Sequence, residues 1–176
     1  MKIKVLRVVL CIVFAIGCFL MQSNFTRVFP ILSAAPNMLL IVTFSMGFLR
    51  GRIWGMFTGL GCGLLLDAFS GSVLGYYTLA FIYIGYFNGL FTRILAHDMV
   101  VMPVILCAVN ELIYSIYIYI FSFLLFGHVN ILDYIRNLAI PELLMTMVAT
   151  VIVYGIIMAV DRHLTEEEKK GEKKFA

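Results

Sequence analysis

Six apolar stretches run along the chain, at about residues 5–21, 31–49, 53–69, 73–91, 100–126 and 138–160. Each is long enough, or nearly so, for the roughly 20 apolar residues a membrane-spanning helix needs. The third carries Asp67 inside it, and the fifth is long enough to tilt or protrude. Residues 113–126 are rich in Tyr, Ile and Phe, which also suits strands. A closed membrane barrel, however, is written as alternating segments of about ten residues. The runs here are continuous, so the pattern predicts helices. The expected fold is all-α: a polytopic membrane protein built as a six-helix transmembrane bundle. Residues 1–163 would form the single transmembrane domain and residues 164–176 a charged tail.

Composition agrees with this pattern. Hydrophobic residues make up 62% of the 176 and charged residues 13%, against about 25% charged in a soluble domain. Such a chain cannot bury all its apolar side chains in one core and still cover itself with polar groups. An ordinary soluble enzyme, a disordered chain and a disulfide scaffold are excluded. The spans leave no room for a separate soluble domain, so function must reside in the bundle, its loops or its tail.

The first stretch begins with Lys2, Lys4 and Arg7, and a small-residue run, Ser33-Ala34-Ala35, lies downstream. Its apolar run is longer than a signal-peptide core, and the small residues lie too far beyond it. An uncleaved first helix is expected. With six spans both termini share one side. That side collects Lys2, Lys4, Arg7, Arg50, Arg52, Arg93, Arg162, Lys169, Lys170, Lys173 and Lys174; Arg27 and Arg136 fall on the other. Positive loops stay in the cytoplasm, so both termini are expected there. The basic residues are topology anchors first, and nothing in them indicates nucleic acid. The tail, residues 165–174, mixes glutamates with lysines and reads as a solvated helix end with pairs such as Glu166–Lys170.

Glycines recur every fourth residue at 47, 51, 55, 59 and 63; Asp67 follows at the same spacing, then Gly71 and Gly75. Residues four apart share one side of a helix. Gly51, Gly55, Gly59 and Gly63 therefore predict a shallow groove in which a neighbouring backbone can approach closely. Two readings stand: packing within the chain, or a seam for a partner's helix. At the end of the groove Asp67 precedes Ser70-Gly71-Ser72, a tight turn, where a carboxylate either caps the next helix or meets water. Glu142 follows Pro141 at the start of the sixth stretch, where acidic residues suit the first turn. Glu111 is harder to accommodate. It lies about eleven residues into the fifth stretch, roughly 17 Å deep, with Asn110 beside it and Tyr114 and Ser115 on the same face. It must be neutral or face the bundle interior, and an interior polar network is the favoured reading.

Catalytic or metal chemistry finds no support. Cys11, Cys18, Cys62 and Cys107 lie within spans and form no CxxC or Cys/His set, so they read as small buried hydrophobes. His97, His128 and His163 lie in loops or at span ends. His128 and Asp133 share an outer loop, but no nucleophile accompanies them. No enzyme activity and no cofactor are expected.

The order of several motifs resembles a known family. Pro36-Asn37-Met38-Leu39-Leu40 opens the second stretch and Arg50-Gly51 closes it. A Gly-rich segment, residues 59–66, leads into Asp67-Ala68-Phe69-Ser70-Gly71-Ser72-Val73-Leu74-Gly75. This layout resembles MreD, the rod shape-determining membrane proteins of bacteria. That family pairs a Pro-Asn or Pro-Asp helix start with an "LLLD…SGS.LG" segment. The resemblance implies an integral scaffold of the cell-wall elongation machinery in the bacterial cytoplasmic membrane, without catalysis. Implied partners are an MreC-like protein, an MreB-like actin homologue, and the RodA and class B penicillin-binding protein complex. The implied fold is similar to the six-helix substrate-binding subunits of energy-coupling-factor vitamin transporters. Arg50, Arg52 and Arg93 would then meet cytoplasmic partners, and the ends near Asp67 and Glu142 the wall-side ones. The resemblance assigns no role to Glu111. The alternative is a substrate-binding subunit of a vitamin-type transporter. Such subunits tend to carry Ala-xxx-Ala in the first helix, and here Phe19 follows Ala15.

Overall fold

The computed structural model describes residues 2–28, 34–70, 74–93, 101–126 and 131–173. Every regular element among them is helical: α1 (Lys2–Val28), α2 (Met38–Arg50), α3 (Arg52–Ser70), α4 (Tyr76–Leu90), α5 (Val101–Phe126), α6 (Ile131–Tyr134) and α7 (Ile140–Lys173). A 3-10 turn, Phe91–Arg93, extends α4, and a π turn, Ile135–Ala139, joins α6 to α7. The last three elements therefore form one continuous rod, and the bundle has six rods.

Among the described residues, four helical segments are long and apolar enough to cross a bilayer: Val5–Phe25, Arg52–Ser70, Met102–Phe121 and Ile131–Glu168. Their outward faces are apolar, as lipid requires. Val13, Ile53, Phe57, Val148 and Ile152 are all exposed.

Among the described residues the second rod is the short one. α2 has 13 residues, about 20 Å at 1.5 Å per residue, whereas the 3-10 turn carries the fourth rod on to Arg93. α2 falls short of a hydrocarbon layer of about 30 Å. The apolar run at 31–49 suggests a span because composition does not separate a helix that faces lipid from one enclosed by protein. Residues 31–33 lie outside the described residues. From Met38 to Phe48 every residue of α2 is buried. Pro36 disfavours helical backbone at Ala35, and the helix starts only after Asn37.

A helix beginning inside a bundle must satisfy its first amides. α2 does so completely. Met38 N–H donates to the Pro36 carbonyl (2.9 Å) and Ile41 N–H to the Asn37 carbonyl (3.2 Å). Leu39 N–H donates to Gln22 Oε1 of α1 (3.3 Å) and Leu40 N–H to Asn37 Oδ1 (3.3 Å). α2 is thus the axis of the core. Leu39, Leu40, Ile41, Phe44 and Phe48 are enclosed with Phe81 of α4, Cys107 of α5 and Tyr154 of α7.

Rods alternate in direction, so the bundle has two chemically distinct ends. Arg7, Arg50 and Arg52 gather at one, the basic end. Asn37, Asp67 and Glu142 lie toward the other, the far end.

Candidate functional site

The glycine row is filled from within the chain. α4 lies directly on α3, and each seam glycine faces backbone. A Cβ added at Gly55 would meet the backbone of Gly85 and of Gly47; at Gly59, that of Phe81; at Gly63, that of Thr78. Gly47 extends the seam from α2, where a Cβ would lie 2.6 Å from the Gly85 carbonyl oxygen. Real Cβ contacts are not that close, so α3 and α4 touch only because these positions lack side chains. Gly51 differs from the other three. It ends α2 with φ 93°, and its own Cβ position is open. Its left-handed backbone makes the corner between α2 and α3. Gly71 lies outside the described residues.

Asp67 ends the seam as a cap for the next helix. It is 2% exposed. Oδ1 accepts from Tyr77 N–H (2.9 Å), and Oδ2 accepts from Gly75 N–H (3.0 Å), Thr78 N–H (3.1 Å) and the Thr78 hydroxyl. The residue at the normal capping position is Gly75, with φ 95° and no side chain to offer. Asp67 supplies from α3 the acceptors that α4 lacks locally, and its charge suits the positive end of that helix.

Glu111 and Asn110 both point inward from α5, on different sides of the helix. Asn110 pairs reciprocally with Asn88 of α4, Nδ2 to Oδ1, at 2.8 and 3.0 Å. Each amide also donates to the carbonyl four residues earlier, Ile84 or Leu106. Such interhelical bonds contribute about 0.6 kcal/mol on average in a membrane. Asn88 is invisible to sequence reading because a single amide in an apolar stretch has no periodic signature.

Glu111 is 0% exposed, and neither carboxyl oxygen has a hydrogen-bond partner. Asn37 and Thr146, also buried, belong to the same interior. An ionised carboxylate placed at the centre of a spanning helix costs about 2.5–3.5 kcal/mol on insertion scales.

Glu142 lies in the first turn of α7 and is half-buried. The π turn feeds α7, and Ile140 N–H already donates to the Ile135 carbonyl. Pro141 removes one helical donor, and the wider π turn before it absorbs the clash. Thr146 then links α7 to α2: its hydroxyl donates to the Glu142 carbonyl (2.7 Å) and accepts from Asn37 N–H (3.0 Å).

Arginines at the basic end are engaged within the chain. Arg50 Nε donates to Asp161 Oδ1 (2.6 Å) and its terminal nitrogen to the Thr165 hydroxyl (2.6 Å). Arg7 is buried; it donates to Glu168 Oε2 at 3.1 Å, with Asp161 at 3.9 Å. Arg50, expected as a loop contact for partners, binds α2 to α7, and an unpaired guanidinium so near lipid would be costly. Arg52 remains exposed. The side chain of Arg93, and the loop residues 94–100 with His97, lie outside the described residues. So does His128.

Comparison with known proteins gives one family. A family model described as rod shape-determining protein MreD matches residues 2–162, nearly the whole chain. No curated protein and no solved structure matches it.

Proposed function

The chain belongs to the family of rod shape-determining protein MreD, and from that membership we propose that it is a scaffold of the bacterial cell-wall elongation machinery. A membrane protein with a role in rod shape determination is what the family establishes. The scaffold role goes further. It rests on one observation: the polar groups of the interior serve chiefly to hold rods together. Asp67 caps α4, Asn88 pairs with Asn110, and Arg50 pairs with Asp161. In this reading the chain catalyses no reaction. It holds an MreC-like protein, an MreB-like actin homologue, and the RodA and class B penicillin-binding protein complex. It sits in the cytoplasmic membrane with both termini inside, since eleven of thirteen Lys and Arg then fall on the inner side.

Depletion with microscopy tests the role: loss of rod shape, or swelling and lysis, is expected. Normal rods after depletion would overturn it. Crosslinking from a cysteine placed at exposed Arg52 should capture an MreB- or MreC-like protein in mild detergent. Orientation is tested separately: impermeant reagents should leave the tail lysines of intact cells unlabelled.

The six-rod layout supports a second reading, a vitamin-binding subunit similar to those of energy-coupling-factor transporters. Vitamin binding by the purified protein, with rod shape unaffected by depletion, is the outcome that would favour it.

A further inference from the structure

At the basic end, one buried donor lacks an acceptor in the wall of a cavity. Arg7 of α1 is 5% exposed, and its Nε has no hydrogen-bond partner among the described residues. Its terminal nitrogen is committed to Glu168 Oε2. Asp161 Oδ1 lies 3.9 Å from Nε, beyond hydrogen-bond reach, and already accepts from Arg50 Nε. A guanidinium N–H can only donate, and leaving it buried and unpaired is costly. Arg7 and Arg50 balance Asp161 and Glu168 in charge, so the gap calls for an acceptor oxygen and not for another acid.

The cavity, about 100 Å³, lies between α1, α2 and α7. Arg7 and Asp161 stand in its wall, and the other lining residues are apolar. Val42 and Met46 of α2 line it and are enclosed, whereas Leu10, Ile156 and Val160 line it and are exposed. It therefore opens sideways, toward lipid. Water suits it poorly: there is room for more than one molecule, and each needs two to four polar partners. Arg7 lies in the first turn of the Val5–Phe25 span, close to the level at which the hydrocarbon layer gives way to headgroups. The chemistry that fits is an acceptor oxygen joined to an apolar chain and arriving from the bilayer.

We propose that this cavity holds one phospholipid, with a phosphate or glycerol-ester oxygen accepting from Arg7 Nε and an acyl chain laid between α1 and α7 against α2. Basic pockets between spanning helices take lipid headgroups in the same manner. The inference is independent of the scaffold reading, since it concerns what fills the bundle and not its protein partners.

The test places the full chain in nanodiscs of phosphatidylethanolamine and phosphatidylglycerol, with part of the phosphatidylglycerol carrying a diazirine on one acyl chain. After irradiation, peptide mass spectrometry locates the label. Bulk lipid reaches outward residues such as Val13 and Ile152 but not α2, whose residues 38–48 are all buried. Label on Val42 or Met46 is therefore the expected result. Arg7→Lys keeps a cation for Glu168 but removes the Nε donor. Its α2 label should fall roughly tenfold relative to the outward label, about what one hydrogen bond from a charged group is worth. Should Arg7→Lys fail to fold, Val160→Phe fills the cavity from its exposed rim with Arg7 untouched, and its α2 label should fall likewise. Wild-type label confined to outward residues overturns the proposal. So does undiminished α2 label in either folded variant.

Discussion

A carboxylate inside a bundle must find donors, and Asp67 finds four on the first turn of α4. Asp67→Ala should therefore lower stability by about 3 kcal/mol, the range for losing hydrogen bonds to a charged group and stranding their donors. Asp67→Asn keeps one acceptor oxygen and should lose about half as much. Unfolding in detergent measures the loss, and hydrogen exchange localises it: the Tyr77 and Thr78 amides should lose protection first. Asn37 offers a cleaner charge test. Asn and Asp are equally good caps, so Asn37→Asp should be neutral if capping were its only task. Its side chain is also enclosed, 1% exposed, in the same interior as Glu111. A further carboxyl there should destabilise the fold near neutral pH, and acidification should relieve part of the loss. Equal melting of the two proteins across pH would remove Asn37 from the Glu111 cluster. Asp67 and Glu111 differ in how far the sequence exposes them. Asp67 stands in register with the glycines and before a turn, so its capping role is among the readings that spacing allows. The clash of Glu111 with lipid is legible from depth alone, but what surrounds it depends on how α5 and α7 meet, as at Cys107 and Thr150.

At the scale of elements, the seam between α3 and α4 is set by what is missing from it. Gly55→Ala and Gly59→Ala each put a methyl against backbone that cannot rotate away. Each should cost about 1–3 kcal/mol, the usual penalty for overpacking. Gly61→Ala is the control: it is on the same helix, with nothing within 4 Å of its Cβ position. It should be neutral or slightly stabilising, since alanine is the better helix former. Thermal melts of the three variants decide the matter, and equal loss in all three would mean that the seam does not hold the pair. The four-residue spacing exposes this groove by itself, because spacing alone fixes which residues share a face. What fills it is not readable from spacing, since α4 carries its own small residues, Gly85 and Gly89, in an otherwise aromatic run. α2 is disguised for the converse reason. Its apolar length looks like a span, and only the Pro36-Asn37 start records that the helix begins late and inside protein.

Across the whole molecule, three rods that are distant in sequence meet at the basic end. Arg7 of α1 and Arg50 of α2 both approach α7, at Glu168, Asp161 and Thr165. The sequence displays these arginines as topology signals, and counting charges by side does not show which acid each one meets. The acids lie at the end of the last rod, where α7 runs past the apolar stretch to Lys173. That extension carries Glu168 back over α1, so part of the charged tail closes the bundle. Opening the Arg50–Asp161 pair should cost about 2 kcal/mol in Arg50→Ala. That lies below the loss for a fully enclosed pair, because both side chains retain some contact with water. The double exchange, Arg50→Asp with Asp161→Arg, should recover part of it. Arg52→Ala, two positions away and exposed, should leave melting unchanged. The two arginines thus separate fold from function in one complementation experiment. If the basic end recruits cytoplasmic partners, Arg52→Ala should reduce partner crosslinking and rod-shape rescue at normal protein levels. Arg50→Ala should reduce rescue only in proportion to the protein lost. Full rescue by Arg52→Ala with undiminished crosslinking would remove this surface from the docking site and direct attention to the far end, near Asp67 and Glu142.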